Sequence, residues 1–125
     1  HYEIPELFVR AVIPFSRNPQ EINKAWSKVK IAYKNSGLEE LGFYLEDLIA
    51  DEERFEELTK RTRSVVGGFV TGKVNDFFAV LYTSILRLFN EITEEIARQQ
   101  RKEVANTSNG FDGFTFYNWL RKDAF

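Results

Sequence analysis

Acidic side chains are the most numerous candidates for chemistry in this 125-residue chain, and they cluster. Between residues 39 and 57 they form four runs, which are Glu39-Glu40, Glu46-Asp47, Asp51-Glu52-Glu53 and Glu56-Glu57. Paired carboxylates can act as acid–base catalysts, and glutamates inside a helical bundle bind two metal ions when Glu-x-x-His motifs complete the site. The only histidine is His1, and there is no cysteine, so a histidine-based or thiolate-based site is not expected. We therefore predict no enzyme, no metal and no cofactor, and place these acids on the surface.

A glycine-containing segment offers a second, weaker candidate for chemistry. Gly67-Gly68 with Thr71-Gly72-Lys73 resembles part of a phosphate-binding loop. A Walker loop has a defined glycine spacing, ends in Lys-Ser/Thr and follows a strand, and this segment has none of these features. We interpret it as a turn between two helices.

Cationic side chains favour contact with nucleic-acid phosphates. Such contacts position a protein on the nucleic acid but do not depend on its base sequence. The predicted nucleic-acid-binding residues form two basic groups. The first group is Arg17, Lys24, Lys28, Lys30 and Lys34, and the second group is Lys60, Arg61 and Arg63. Arg98, Arg101 and Lys102 form a third basic group. The net charge of −2 and the pI near 5.5 argue against strong non-specific binding by the whole chain.

The charge is strongly segregated along the sequence. Residues 1–37 carry +3, residues 38–57 carry −8 and residues 58–125 carry +3. Such blocks can pair within the chain, steer a partner or set the polarity of an assembly. The alternative is that each block is simply the solvated face of a helix.

Hydrophobic periodicity predicts helices and no strands. Asn18, Pro19 and Glu21 give an N-cap, a first helical position and a capping-box pattern, and Gly37 ends this helix. The next segment begins near Leu38 and is either one bent helix or two helices, with Asp51 capping the second. The paired glycines at 67 and 68 are expected to interrupt the helical pattern.

The longest predicted helix runs from about Lys73 to about Val104, and residues 106–110 have the composition of a loop. Short connections between helices favour antiparallel packing. The predicted fold is all-α, a four-helix bundle with short additional helices at its N- and C-terminal ends, in a single domain of residues 1–125.

The two ends of the chain are rich in apolar side chains. Residues 1–15 form an apolar arm, with Pro5 at the first position of a two-turn helix that Pro14 stops, and residues 111–125 form an aromatic tail. The predicted interaction residues are Leu7, Phe8, Phe15, Phe114, Phe116 and Trp119. Either the arm and tail bind neighbouring subunits, or they fold back on the chain's own core. Since there is no Met, we expect that the chain before His1 has been processed or truncated.

The organisation of the chain resembles that of coat proteins of filamentous archaeal viruses of the lipothrixvirus type. The shared features are a cysteine-free helical bundle, a leading arm, a long central helix and an aromatic tail, here Phe114-Thr115-Phe116-Tyr117-Asn118-Trp119-Leu120-Arg121. The resemblance implies paired coat subunits that form a four-helix bundle and wrap double-stranded DNA with basic N-terminal elements.

Two shorter segments resemble small helical subunits of type III CRISPR effector complexes. Tyr82-Thr83-Ser84-Ile85-Leu86-Arg87 is similar to a Thr-Ser-x-x-Arg stretch in one of them, and Asn35-Ser36-Gly37-Leu38 is similar to a turn in another. This second resemblance implies an accessory subunit of a nucleoprotein complex.

We predict a non-enzymatic structural subunit, specifically a viral coat (capsid) protein that associates with itself or a paralogous subunit and contacts double-stranded DNA. The alternatives are an accessory helical subunit of a nucleoprotein complex and a helical protein-interaction module. The expected location is the virion for a coat protein and otherwise the cytoplasm. The longest apolar run, residues 77–82, is far shorter than the roughly 20 residues of a membrane-spanning helix.

Overall fold

A computed structural model describes the backbone of residues 4–109 and the side chains of residues 4–102. The α-helices are α1 (Glu6–Val12), α2 (Pro19–Ser36), α3 (Leu45–Ala50), α4 (Glu52–Val70) and α5 (Phe77–Asn109), and Glu39–Leu41 is a 3₁₀ helix. Residues 4–109 contain no strand, so this part of the chain is all-helical, as predicted.

The apolar arm packs against the chain's own core. Helix α1 begins after Pro5, which is its N-cap residue, and it packs against α4 and α2. Phe8, Ala11 and Val12 are buried, and the ring of Phe8 meets Trp26 edge-on with 4.9 Å between centroids. For residues 4–15, the structure therefore has the fold-back arrangement rather than an arm extended into solvent.

Helix α2 has the ends that its sequence predicts. The Asn18 side chain accepts a hydrogen bond from the Gln20 backbone amide at 2.8 Å, and Gly37 has a φ of 86°. A left-handed residue at this position suits glycine because it lacks a Cβ. The Asn18 amide donates to Ser16 Oγ at 3.0 Å, so Ser16 takes the part that the capping-box pattern assigned to Glu21.

The segment after α2 consists of separate helices rather than one bent helix. The 3₁₀ helix ends at Gly42, whose φ is 80°, and α3 follows. Asp51 caps α4 as predicted, since its side chain accepts a hydrogen bond from the Arg54 amide at 3.2 Å.

The predicted interruption at Gly67 and Gly68 is wrong, because α4 continues through both residues to Val70. Both glycines lie in the last turn of α4, where fewer helical hydrogen bonds depend on them than in a helix interior. The helix ends at Val70, and Gly72, two residues later, has the left-handed conformation, with a φ of 84°. The Lys73 amide donates to the Gly68 carbonyl at 2.8 Å, and the Gly72 amide donates to the Phe69 carbonyl at 3.1 Å. This pair of bonds is a Schellman motif.

Helix α5 begins four residues later and ends later than predicted. The Asp76 side chain accepts a hydrogen bond from the Ala79 amide at 3.1 Å and so caps the helix at Phe77 rather than near Lys73. Residues 106–109, predicted as a loop, belong to α5. Asn, Thr and Ser each disfavour a helix by only a few tenths of a kcal/mol relative to Ala, which is too little to end one already formed.

The Cα positions divide the chain into two compact units, residues 1–93 and residues 94–125. In the first unit, α2, α4 and the start of α5 surround a core that includes Trp26, Val29, Leu58, Leu81 and Phe89. A cluster of aromatic rings fills one part of this unit and consists of Phe15, Phe69, Phe77 and Phe78. In the second unit, Arg98, Arg101 and Lys102 are exposed on α5. Within the described residues, no helix combines the length and apolar character needed to cross a membrane.

Candidate nucleic-acid interface and association surfaces

The outer face of α2 is rich in lysine. Residues 22–38 contain four lysines and no acid. Lys24 and Lys34 are exposed, and Lys28 and Lys30 are half-buried at the edges of the same face. This face lies opposite the buried side chains of α2, because Trp26, Val29 and Tyr33 take the core side.

Helix α5 positions this face through two contacts. The Lys24 ammonium lies over the Phe78 ring, 4.5 Å from its centroid, and Asn35 Nδ2 donates to the Tyr82 hydroxyl oxygen at 2.8 Å. A cation above an aromatic ring is held by the ring's negative face. The structure therefore holds both ends of this face, Lys24 and Asn35, against α5.

An apolar side chain lies at the centre of the α2 basic face. Ile31 is 47% exposed, and the helical repeat places it between Lys24 and Lys34 around the helix. The two lysine pairs, Lys24 with Lys28 and Lys30 with Lys34, each span about 6 Å along the axis. The face thus carries four lysines over about 15 Å of helix. At its C-terminal end, Lys30 and Lys34 share a surface pocket with Glu39 and Glu46.

The second predicted basic group does not form a comparable surface. Lys60 and Arg63 are exposed on α4, but they share its outer face with exposed Glu52, Glu53 and Glu56. A phosphate near Lys60 or Arg63 would therefore also experience repulsion from these carboxylates.

Arg61 is engaged within the chain. Its Nε donates to Glu57 Oε2 at 3.0 Å, and its Nη2 donates to Glu91 Oε1 at 2.9 Å. Partial burial alone would lower the pKa of Arg61, but the hydrogen bonds to Glu57 and Glu91 outweigh it and raise the pKa above the ordinary arginine value. Because its charge is balanced by two carboxylates, Arg61 ties α4 to α5 rather than extending a cationic surface.

The remaining predicted cation of the first basic group, Arg17, is exposed just before the N-terminus of α2. It lies outside the helix and one residue before the Asn18 cap. The structure therefore places four of the first group on one helix, with Arg17 near its start: Lys24, Lys28, Lys30 and Lys34. Lys60 and Arg63 lie on a different helix, α4.

The predicted interaction residues have three different environments. Phe8 is fully buried, whereas Phe15 is half-buried and stacks on Phe77 with 3.9 Å between ring centroids. Leu7 is 54% exposed on α1. Phe114, Phe116 and Trp119 lie outside the described residues. Of the predicted interaction residues that the structure describes, Leu7 is therefore the one with an exposed side chain.

Leu7 lines a groove where α1, α3 and α4 meet. The groove has a volume of about 750 Å³, and its apolar lining comes from Leu7, Ile49 and Phe55. Its polar lining is Glu52, Glu53, Glu56, Thr59 and Arg63. Sequence reasoning named Leu7 and Arg63 but missed the groove, because the groove exists only where three separate helices come together.

Tyr33 is the other described group with a shifted pKa. Its hydroxyl donates to the Phe43 carbonyl at 2.9 Å, which ties α2 to the segment between the 3₁₀ helix and α3. Burial raises the pKa of Tyr33, and the negative charges of Glu39 and Glu46 raise it further. This residue has a structural role, and neither its geometry nor its pKa indicates acid–base catalysis.

The carboxylate clusters do not converge on a metal position in the described part of the chain. No group of three or more Asp, Glu, His or Cys side chains that could hold a metal ion occurs there. Glu39, Glu40, Glu46, Glu52, Glu53 and Glu56 are all exposed.

Comparison with known proteins finds no matching family model, no similar curated protein and no similar solved structure.

Proposed function

We propose that this chain is a non-enzymatic structural subunit that self-assembles and contacts double-stranded DNA, in the manner of a viral coat protein located in the virion. The basic face of α2 is the observation that supports this proposal. It combines four lysines, an exposed apolar centre and no acid on one rigid helix.

The fold we propose for such a subunit is a four-helix bundle with short additional helices at its N- and C-terminal ends, and α1 is the short helix at the N-terminal end. Contacts of α1 with α2 and α4, and of α5 with α2 and α4, support this arrangement. A bundle of this kind gives a rigid support, so a helix face can meet a DNA backbone without first ordering its own backbone.

The overall acidity of the chain does not oppose a local phosphate contact. The acidic block from residue 38 to residue 57 lies on different elements from α2. Two of its carboxylates, Glu39 and Glu46, nevertheless line the same surface pocket as Lys30 and Lys34 and would repel a phosphate at that end of the helix. Lys24 lies about 9 Å along the axis from Lys30 and about 15 Å from Lys34, so these carboxylates are largely screened from a phosphate beside Lys24. Binding through four such contacts is weak at high salt and depends steeply on the salt concentration.

The first test reverses three lysines of the face in the full chain, Lys24→Glu, Lys28→Glu and Lys34→Glu. We expect binding to linear double-stranded DNA to fall sharply. If each lysine neutralises one phosphate, the slope of log K against log salt should flatten by about 2.7, at roughly 0.9 per contact. Fluorescence anisotropy across a salt series measures both quantities.

A matched control reverses three exposed cations elsewhere that do not line the groove beside Leu7, Lys60→Glu, Lys73→Glu and Arg87→Glu. This control changes the net charge by the same amount, so a merely global charge effect would weaken binding equally in both variants. Retained binding in the control with loss in the α2 variant supports the proposed interface. Equal loss in both variants, or no loss in the α2 variant, overturns it.

Self-assembly is tested by electron microscopy of the full chain, alone and with linear double-stranded DNA at low salt. Regular filaments or DNA-coating rods support the structural subunit. Dispersed particles that nevertheless bind DNA would favour the accessory subunit of a nucleoprotein complex and contradict the coat protein.

A further inference from the structure

The groove between α1, α3 and α4 has an apolar floor and an acidic rim. Leu7 is 54% exposed beside half-buried Ile49, and Phe55 closes the floor with 8% exposure. Glu52, Glu53 and Glu56 are exposed along the rim. Glu52 and Glu53 lie in the first turn of α4, where the positive end of the helix dipole stabilises carboxylates.

The charge pattern of the groove identifies the kind of segment that would fit it. Apolar side chains would cover Leu7 and Ile49, and cations next to them would face the three carboxylates of the rim. Arg63, at the other side of the lining, would favour a single acid beyond those cations. An occupant therefore needs an apolar run, then positive charge, then a negative group.

The aromatic tail of this chain has that order of residues. Phe114, Phe116 and Trp119 are followed by Arg121 and Lys122, and Asp123 comes next. Residues 111–125 contain two cations, the adjacent Arg121 and Lys122, and two acids, Asp112 and Asp123. Aromatic residues and arginine are also the side chains that contribute most often to the energetic centre of protein interfaces.

We propose that the groove binds residues 111–125 of a second copy of this chain. This inference rests on the proposed function and specifies its assembly contact: the tail of one subunit docks between α1, α3 and α4 of the next. A head-to-tail contact of this type uses two different surfaces of the same molecule, so it generates rings or open filaments rather than closed dimers.

The test uses two charge-reversed variants of the full chain. Variant A carries Glu53→Lys and Glu56→Lys in the groove, and variant B carries Arg121→Glu and Lys122→Glu in the tail. In each variant alone, the groove of one chain and the tail of the next carry charges of the same sign, so assembly should be lost. Sedimentation velocity measures assembly under conditions where the unmodified chain assembles. An equimolar mixture should regain assembly, because the groove of A is opposite in charge to the tail of B, and the reverse contact keeps the original charges.

A matched control carries Glu39→Lys and Glu40→Lys, which change the charge equally at exposed positions outside the groove. It should assemble like the unmodified chain. Recovery in the A and B mixture cannot come from misfolding of either variant, since mixing two misfolded chains restores neither. Assembly of A and B separately, or a mixture that stays dispersed, overturns the groove proposal while leaving self-assembly itself intact. An unmodified chain that remains monomeric in all conditions overturns both the proposed function and this inference.

A second measurement tests proximity without altering charge. Since the chain has no cysteine, single-cysteine variants have no background thiol. Mild oxidation of mixed Leu7→Cys and Asn118→Cys chains should give a disulfide-linked pair between the two variants. Val70→Cys replaces Leu7→Cys as the control, because Val70 is similarly exposed at 61% but does not line the groove. Equal cross-linking of Asn118→Cys to both positions would contradict the proposal.

Discussion

At the scale of single residues, the hydroxyl of Tyr33 links two parts of the chain. The Tyr33 side chain is buried in the core face of α2, yet its hydroxyl reaches the Phe43 carbonyl beyond the 3₁₀ helix. Burial and nearby glutamates raise its pKa, so the folded chain holds the phenolic proton more tightly than the unfolded chain does. The stabilisation from this residue is therefore present below the unfolded tyrosine pKa of about 10 and is lost as the pH rises through the folded pKa.

We expect Tyr33→Phe to lower the free energy of unfolding at pH 8 by about 0.5–1.5 kcal/mol, the net value of one hydrogen bond. The difference between the variant and the unmodified chain should shrink above pH 10, because the ionised phenol cannot donate to a carbonyl. Urea unfolding followed by circular dichroism at pH 8 and pH 11 measures both effects. A difference that stays constant or grows with pH would contradict the assigned role.

At the scale of elements, the end of α4 depends on two glycines that differ in their surroundings. A Cβ added at Gly68 would lie 2.8 Å from Val74 Cγ2, whereas a Cβ added at Gly67 would meet nothing within 4 Å. Gly68 also supplies the carbonyl that closes the Schellman motif with Lys73. The close approach of Val74 therefore requires glycine at position 68, and position 67 has no such requirement.

Gly67→Ala should raise the free energy of unfolding by up to about 1 kcal/mol, since alanine favours the helix without a clash. Gly68→Ala should lower it, because a β-branched valine has little freedom to move away and an overpacked contact costs about 1–3 kcal/mol. Thermal unfolding of the two variants provides the comparison, each serving as the control for the other. Equal shifts in the midpoint temperature would show that Val74 does not constrain the turn.

At the scale of the whole molecule, the arm belongs to the folded core and also contributes to the surface. Adjacent residues of α1 divide these roles: Phe8 is fully buried against Trp26, and Leu7 lines the groove. Deletion of residues 1–15 would therefore remove core packing together with any contact to a neighbour, so single substitutions separate the two roles better.

We expect Phe8→Ala to lower the free energy of unfolding of the monomer by about 3–5 kcal/mol, the usual range for removing a buried phenylalanine ring. Leu7→Ala should change it by no more than about 0.5 kcal/mol, because the side chain is already half in water. Urea unfolding at a concentration where the chain is monomeric measures both. A large loss of stability in Leu7→Ala would place this residue in the core and weaken the case for a docking groove.

Much of the local structure follows from the sequence because its signals act between near neighbours. Asn18 and Gly37 define α2, and Asp51 separates α3 from α4, because caps and left-handed glycines need only the adjacent backbone. The hydrophobic spacing of α5 likewise indicates its buried side chains, including Leu81, Ile85 and Phe89. The same reasoning failed at Gly67 and Gly68, where position within the helix mattered more than residue type.

The sequence alone determined that this chain is helical and where lysines accumulate without acids, since periodicity and charge are properties of nearby residues. Only the tertiary structure decided which of these residues remain on the surface. Arg61 is neutralised by Glu91, thirty positions away, and Phe8 is buried by α2 and α4. The groove beside Leu7 likewise depends on how three helices meet. Contacts between distant segments are set by the packing of whole helices, and no local pattern of residues specifies them.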